Sequence, residues 1–255
     1  MANLGESQWA GRHAGKDELR KQVWTALQES GVAIGDPFGW IPNFVGADLA
    51  AARLAALPIW KQARVIKSNP DAPQAHVRLR ALQDGKILYM AVPRLAEEKC
   101  FIELTAQDLL GRGVSLEDAS QWQTAVEIGK RVDFEEMQSI DLAVTGCVAV
   151  TRAGGRTGKG AGFADLEFAM LRQFGLLSSQ TPLATTVHSL MLVANDRLPV
   201  QPHDTFLDWI ITPQETIEVK NTGHQPGGID WDQIRSDQYE TIPVLRRLKP
   251  NWSPK

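Results

Sequence analysis

Residues 142–165 read LAVTGCVAVTRAGGRTGKGAGFAD. Residues 142–150 form a β-branched, nearly continuous apolar run, which is typical of a strand covered on both faces of a sheet. After the glycines, apolar side chains recur at helical spacing at Leu166, Ala169, Met170 and Phe174. The order of strand, glycine loop and helix predicts an α/β unit.

The glycine loop between these elements is a candidate anion site. Gly158, Gly160 and Gly162 allow positive φ angles and a close approach of the main chain to a ligand. The N–H groups of such a loop and of the helix that follows favour negative charge. Arg156 and Lys159 add positive charge. We expect a phosphate group here, and the alternative is a glycine-rich surface turn without a ligand.

Two familiar nucleotide-binding motifs do not fit this loop. A Walker A loop requires a glycine five positions before its Gly-Lys pair and Ser or Thr after it. Ala153 and Gly160 occupy those positions. A dinucleotide-binding loop has Gly-x-Gly-x-x-Gly after the first strand, whereas this loop has Gly-x-Gly-x-Gly beyond the middle of the chain. The loop therefore belongs to neither class.

The composition predicts a globular protein with a substantial core. The chain has 255 residues, 43% of them apolar, with a formal net charge of -3 and a pI near 6.0. This charge gives no general attraction to nucleic acid or anionic membranes. Cys100 and Cys147 lack metal-ligand spacing and are expected to be reduced core thiols. With no leader pattern and no membrane-spanning run, we expect a cytoplasmic protein without a membrane partner.

Hydrophobic patterns predict alternating helices and strands, and hence a layered α/β fold with a mostly parallel sheet. Helices are expected at 16–30, 47–57 and 166–174, and strands at 63–67, 142–150, 183–194 and 208–212. Residues 77–82 and 87–92 flank Asp84-Gly85 as a hairpin or tight connection. Residues 16–219 would form the core of a single domain, with a poorly ordered extension at 1–15 and an extended C-terminal arm at 220–255.

Ordered motifs run through most of residues 16–219. They comprise Lys16-Asp17-Glu18-Leu19-Arg20, Gly85-Lys86, Val92-Pro93-Arg94, the glycine loop with Asp165, and Pro199, His203, Asp204, Asp208 and Thr212. Further motifs are Ile41-Pro42-Asn43-Phe44, Asn69-Pro70-Asp71, Phe163-Ala164-Asp165-Leu166-Glu167 and Thr186-Val187-His188. Through the first set the chain resembles the 5-formyltetrahydrofolate cyclo-ligase family. Through the second it resembles the branch of methenyltetrahydrofolate synthetase domain-containing proteins.

This resemblance implies a fold and a reaction. The fold would be a Rossmann-like three-layer α/β/α sandwich related to the ribose-phosphate isomerase and CoA-transferase group. The reaction would depend on ATP and Mg²⁺: ATP phosphorylates the formyl oxygen of 5-formyltetrahydrofolate, and a neighbouring folate nitrogen then attacks. Phosphate leaves as 5,10-methenyltetrahydrofolate forms. The expected partners are a reduced folate and a nucleotide.

The resemblance also implies roles for individual residues. The expected catalytic residues are Lys16, Arg156, Lys159 and Asp165, with Asp165 orienting Mg²⁺ directly or through water. The expected nucleotide-binding residues are Lys16, Arg20, Arg156, Gly158, Lys159, Gly160, Ala161, Gly162, Phe163 and Asp165. For Lys16 and Arg20, which lie one turn apart, a solvated helix face is an equal alternative.

Four residues are expected on the folate side: Trp40, Phe163, His203 and Asp208. Trp40 lies in a Gly- and Pro-rich loop, where it would stack on the pterin. His203 would act as a general acid or base near neutral pH, and the alternative is a turn histidine bonded to the main chain.

The chain also departs from the family. Phe163-Ala164 replaces a Tyr-Tyr pair, Leu166 a basic residue, and Met191 an expected Gln. These changes affect the folate side more than the phosphate side. We therefore expect the cyclo-ligase reaction or closely related one-carbon folate chemistry, and the alternative is a non-catalytic nucleotide- or folate-binding regulator. RNA binding is disfavoured because the aromatic strand signature is missing and the charge is acidic. A homo-oligomer is left open.

Overall fold

A computed structural model describes residues 13–220 and 225–252, so nearly all of the predicted N-terminal extension lies outside the described residues. The α-helices are α1 (Ala14–Glu29), α2 (Ala47–Ala55), α3 (Pro58–Gln62), α4 (Ala75–Gln83), α5 (Ala106–Gly111), α6 (Leu116–Ser120), α7 (Trp122–Ile128), α8 (Phe163–Gln173), α9 (Ser236–Thr241) and α10 (Pro243–Leu248). The strands are β1 (Val65–Ser68), β2 (Ile87–Ala91), β3 (Phe101–Leu104), β4 (Lys130–Val132), β5 (Leu142–Val144), β6 (Ala149–Thr151), β7 (Arg156–Thr157), β8 (Leu183–Thr186), β9 (Leu192–Val193), β10 (Trp209–Ile211) and β11 (Thr216–Glu218).

A mostly parallel central sheet organises the fold. Its strand order is β11-β10-β8-β5-β1-β2-β3-β4. The run from β10 to β2 is parallel, while β11, β3 and β4 pair antiparallel at the two edges. Helices lie on both sides of the sheet, which confirms the predicted α/β class. After β1 the chain adds strands to one side and from β5 onward to the other, so the order reverses between β1 and β5.

The predicted strand over 142–150 is wrong as a single element. It divides into β5 in the central sheet and β6 in a second sheet of order β7-β6-β9. Residues 145–148, which cross between the two sheets, are as buried as the strands themselves. An apolar run in the sequence predicts that its residues are buried. It does not distinguish one buried strand from two strands that are joined by a buried connection. The glycine loop therefore follows the β6–β7 hairpin.

The hairpin alternative at Asp84-Gly85 and the predicted strand over 183–194 are also corrected. Residues 77–82 lie in α4, so Asp84-Gly85 forms a tight connection that ends this helix, and it does not close a hairpin. The Lys86 N–H donates to the Ala81 carbonyl, while Gly85 donates to Leu82 and has φ +67°, the pattern of a glycine-capped helix end. The predicted strand over 183–194 is confirmed only at β8, because a turn at Ser189–Met191 separates β8 from β9 in the second sheet.

The first helix is confirmed, and so are the buried thiols. The apolar stripe of α1, formed by Leu19, Val23 and Leu27, is buried. Cys100 and Cys147 are buried free cysteines. Within the described part of the chain, no helix is long and apolar enough to cross a membrane.

The predicted extended C-terminal arm is wrong, because residues 236–248 form α9 and α10. Ile242, Val244 and Leu245 are fully buried in the hydrophobic core. Pro243 occupies the first turn of α10, where its missing N–H is not needed.

Candidate active site

The carboxyl ends of β1 and β5 form the edge at which open α/β sheets usually bind ligands, because the strand order reverses there. Gly146, just after β5, closely approaches the loop after β1. A Cβ atom at this position would lie 2.8 Å from Asp71 Oδ2 and 2.9 Å from Gln74 Oε1. Three buried oxygens at this edge have no hydrogen-bond partner among the described residues: Ser68 Oγ, Gln74 Oε1 and Thr145 Oγ1. Since buried polar groups are normally paired, this edge is suited to a polar ligand.

The glycine loop presents main-chain N–H groups ahead of α8. Gly160 and Gly162 have φ angles of +108° and +74°, whereas the φ angle of Gly158 is not positive. Gly162 is the N-cap of α8. Among the described residues, none accepts a hydrogen bond from the main-chain N–H groups of residues 159–162. The loop thus combines unpaired donors with a helix N-terminus, the arrangement that binds anions.

Lys16 and Arg20 are buried, which excludes the alternative of a solvated helix face. Lys16 Nζ lies 2.5 Å from Asp204 Oδ2. Arg20 Nε donates to the Gly158 carbonyl at 2.6 Å and its Nη2 to Thr157 Oγ1 at 2.7 Å. Arg20 therefore fixes the start of the glycine loop to α1.

Arg156 and Asp165 face each other across the glycine loop. Arg156 Nη2 lies 2.5 Å from Asp165 Oδ1, which also accepts the Thr205 N–H at 3.1 Å. The guanidinium is almost completely buried, and its Nε has no hydrogen-bond partner among the described residues. The predicted metal-orienting carboxylate is thus already held by a buried cation, with a quarter of its side chain exposed.

Lys159 is the most accessible of the four predicted cations, with a side chain 34% exposed. Its Nζ lies 4.0 Å from Asp71 Oδ1 and 5.3 Å from the centroid of the Trp40 ring. Burial raises the pKa of Asp71, while Lys159 and Arg78 oppose that rise. Lys159 therefore joins the glycine loop to the carboxyl end of β1 and to the loop that carries Trp40.

A fully buried ion pair lies beneath these groups. Lys67 Nζ, on β1, lies 2.5 Å from Glu167 Oε1 on α8 and donates to Asn69 Oδ1 at 2.8 Å. It also lies 4.7 Å from the centroid of the Phe168 ring. Burial lowers the pKa of Lys67 and raises that of Glu167, and each partner opposes the other's shift. The pair links the helix after the glycine loop to the reversal point of the sheet.

The predicted folate-side residues are distributed unevenly. Trp40 contacts Lys159, and Phe163 is half-buried in the first turn of α8. His203 is 40% exposed, with its Nε2 4.0 Å from Asp204 Oδ1. Asp208 lies at the amino end of β8, where its Oδ2 accepts the Leu183 N–H at 2.8 Å. The structure therefore does not bring Asp208 to the carboxyl edge of the sheet.

Sequence reasoning missed several residues of this region. The signal for Lys67 is a charged residue within an apolar strand pattern. Asp71 and Glu167 belong to motifs that carry the family resemblance, but their charged contacts were not predicted. Arg235, near the C-terminus, carries no local signal, because the contact of its Nη2 with the Ala161 carbonyl of the glycine loop joins residues 74 positions apart.

The fold and the site together define a three-layer α/β protein with a cationic glycine loop beside the reversal point of its sheet. The sequence profile of the 5-formyltetrahydrofolate cyclo-ligase family matches residues 12–213. The chain therefore belongs to this family, as the resemblance implied.

Relatives in sequence agree with this membership, and a solved structure shares the fold. The chain is 34% identical over 241 residues to a methenyltetrahydrofolate synthase domain-containing protein of Bos taurus, covering 92% of this chain and 62% of the relative. For the Homo sapiens protein of the same description, identity is 33%, with 92% of this chain and 61% of the relative covered. The chain thus spans under two thirds of the length of these relatives. The NMR structure of Aquifex aeolicus 5,10-methenyltetrahydrofolate synthetase, 17% identical, shares the fold with a TM-score of 0.52, covering 83% of this chain and 96% of that one.

Proposed function

We propose that this protein converts 5-formyltetrahydrofolate to 5,10-methenyltetrahydrofolate with consumption of ATP in the presence of Mg²⁺, releasing ADP and phosphate. Family membership supports the reaction class. The observation that carries the ATP assignment is the glycine loop, whose N–H groups at residues 159–162 have no acceptor among the described residues. These donors, with Lys159 at the loop centre, suit a polyphosphate.

The four cations would contribute unequally to nucleotide binding. Lys16, Arg20 and Arg156 are buried and each already contacts a carboxylate: Asp204, Asp17 and Asp165 respectively. A phosphate would have to compete with these carboxylates. Lys159 is 4.0 Å from its carboxylate and partly exposed. We therefore assign the direct phosphate contact to Lys159, while Arg20 and Arg156 hold the loop in shape.

Asp165 fits Mg²⁺ as a single carboxylate ligand, direct or through water. Mg²⁺ in nucleotide sites is commonly held by one or two carboxylates together with substrate phosphates. The Oδ1 atom of Asp165 is taken by Arg156 and Thr205, and a quarter of the side chain is exposed at the start of α8. When bound, the ion would neutralise charge that develops on the transferred phosphoryl group.

On the folate side, the chain's own residues would position the substrate. Trp40 would stack on the pterin, with Lys159 above its ring restricting how that ring moves. The unpaired oxygens of Ser68, Gln74 and Thr145 are suited to the polar edge of a pterin. Once the formyl oxygen carries the phosphoryl group, orientation of the folate nitrogen toward the formyl carbon would supply much of the remaining acceleration.

The test is an absorbance assay for methenyl-folate formation from 5-formyltetrahydrofolate with Mg²⁺, run with and without ATP beside a coupled ADP assay. We expect product only with ATP, and one ADP for each product molecule. ATP binding without product would instead favour a non-catalytic nucleotide- or folate-binding regulator, for which the Phe163-Ala164 departure is the supporting observation. Absence of both product and ATP binding would overturn the proposal.

A further inference from the structure

The C-terminal segment, defined here as residues 225–252, packs against the body of the protein although the family profile ends at residue 213. The buried Ile242, Val244 and Leu245 anchor it in the core. Arg247 adds an ion pair with Asp133, in which Nη2 and Oδ1 are 2.8 Å apart. The segment therefore has a defined position relative to the site.

Two residues of this segment reach the glycine loop. Arg235 Nη2 lies 3.3 Å from the Ala161 carbonyl oxygen, and Gln238 Nε2 lies 3.5 Å from the same atom. Gln238 is buried, and Arg235 is 22% exposed and also pairs with Asp237. A Cβ atom at Gly162 would lie 3.3 Å from Gln238 Nε2 and 3.6 Å from Arg235 Nη1. The loop and the segment are thus in close contact at Ala161 and Gly162.

This contact sets the orientation of one peptide group in the loop. The C=O and N–H of a trans peptide point in opposite directions. Because the Ala161 carbonyl points at Arg235 and Gln238, the Gly162 N–H is turned away from the C-terminal segment. It has no acceptor among the described residues. Positive φ angles at Gly160 and Gly162 accompany this orientation.

We propose that Arg235 and Gln238 are positioning residues for the anion site: by holding the Ala161 carbonyl, they direct the Gly162 N–H toward a bound phosphate. The proposal rests on the proposed function for the identity of the anion, and it adds the C-terminal segment to the nucleotide-binding machinery. Arg235 further contributes positive charge near the loop without itself contacting substrate.

The test compares R235M/Q238L with R246M in the full chain. Arg246 lies in the same segment, and among the described residues its guanidinium donates to the carbonyls of Tyr239 and Glu240, so R246M removes an arginine that does not contact the loop. We expect R235M/Q238L to weaken Mg-ATP binding, and to raise the KM for ATP, at least about tenfold, the effect of losing roughly 1.4 kcal/mol of hydrogen bonding. The kcat at saturating ATP should change less than threefold. R235K/Q238L, which keeps a cationic donor, should recover part of the affinity.

Amide hydrogen exchange at Leu166 in the ligand-free proteins separates this proposal from the proposed function, because the Leu166 N–H donates to the Gly162 carbonyl at 3.1 Å and so reports the order of the loop. We expect faster exchange in R235M/Q238L than in wild type or R246M, at a temperature well below the melting temperature of each protein. Equal exchange at Leu166 in both variants would overturn the positioning role even if ATP binds, and so would unchanged ATP affinity despite faster exchange. If wild type binds no Mg-ATP, the nucleotide assignment fails, while exchange at Leu166 still decides whether Arg235 and Gln238 order the loop.

Discussion

Lys16 Nζ lies 2.5 Å from Asp204 Oδ2, joining residues 188 positions apart, and both side chains are more than nine-tenths buried. The pair ties α1 to the loop ahead of β10. Removing one partner of a buried ion pair is costly, because the remaining charge is left buried without compensation. Asp204 Oδ2 also accepts the Gln201 N–H at 2.7 Å, so this carboxylate also stabilises the turn at residues 201–204.

Breaking this pair should therefore destabilise the protein strongly. We expect K16M to lower the free energy of unfolding by about 3–5 kcal/mol, because Asp204 is left as an unpaired buried charge. K16M/D204N, which removes both charges, should lose less than K16M alone. Urea denaturation of K16M, D204N and K16M/D204N measures the coupling energy between the two side chains. Strict additivity of the losses would contradict a direct ion pair.

The Lys67–Glu167 ion pair is more deeply buried than the Lys16–Asp204 pair, with side chains 0% and 3% exposed. E167Q should cost about 3–5 kcal/mol of unfolding free energy, since it leaves the Lys67 charge in the core. K67M/E167M, with apolar side chains of similar length, should be near wild-type stability. If E167Q is as stable as wild type, Lys67 is neutral in the folded protein and the ion pair is absent.

Lys159 should affect nucleotide binding and leave stability unchanged. Its ion pair is long and partly exposed, and such pairs contribute about 0–1 kcal/mol. We expect K159A to raise the KM for ATP about tenfold or more, as loss of a charge-assisted contact to phosphate would. K99A, which removes an exposed ion pair with Glu136, is the matched control. An unchanged KM for ATP in K159A would exclude a phosphate contact.

Trp40 offers a selective test of the folate side. The residue is 58% exposed, and the hydrogen bond from Trp24 Nε1–H, at 3.0 Å, goes to its main-chain carbonyl and not to its side chain. W40A should therefore fold normally. We expect a rise of about tenfold in the KM for 5-formyltetrahydrofolate, from lost stacking of roughly 1–3 kcal/mol, and a smaller rise in the KM for ATP because Lys159 loses its contact with the ring. F38A, in the same loop, should leave both values unchanged. Unaltered folate affinity in W40A would remove the stacking role.

His188 should make stability depend on pH. Its Nδ1 accepts the Leu190 N–H at 3.2 Å, and its ring meets the edge of Phe44 at 5.9 Å. Burial lowers the pKa of His188 below its ordinary value of 6.5. The unfolded chain then binds the proton more readily than the folded protein does. The contribution of neutral His188 to the free energy of unfolding is therefore fully present above pH 6.5 and is lost as the pH falls below 6.5.

Replacement by Asn keeps a hydrogen-bond acceptor and removes the titration. The difference in unfolding free energy between pH 7.5 and pH 5.5, measured by urea denaturation, should be smaller in H188N than in wild type. H76N, at an exposed position of α4, is the control. An identical pH dependence in H188N and wild type would show that His188 does not contribute.

Local patterns were sufficient for much of the architecture. The stripe of Leu19, Val23 and Leu27 predicts α1, and the apolar spacing after the glycines predicts α8. Both predictions are possible because the apolar residues of a helix recur every three or four positions within one short stretch of sequence. The boundaries of the strands could not be predicted as well. Residues 142–150 and 183–194 each contribute strands to two different sheets. A buried strand has the same apolar pattern in the sequence whichever sheet it joins.

The sequence by itself determined the family, the α/β class and the glycine loop with its cations, because these depend on residue types at short, fixed spacing. Only the tertiary structure decided which charges meet. The pairs Lys16–Asp204, Lys67–Glu167 and the contact of Arg235 with Ala161 join residues 188, 100 and 74 positions apart. Such contacts follow from the strand order and from docking of the C-terminal segment, and no local pattern encodes either of them.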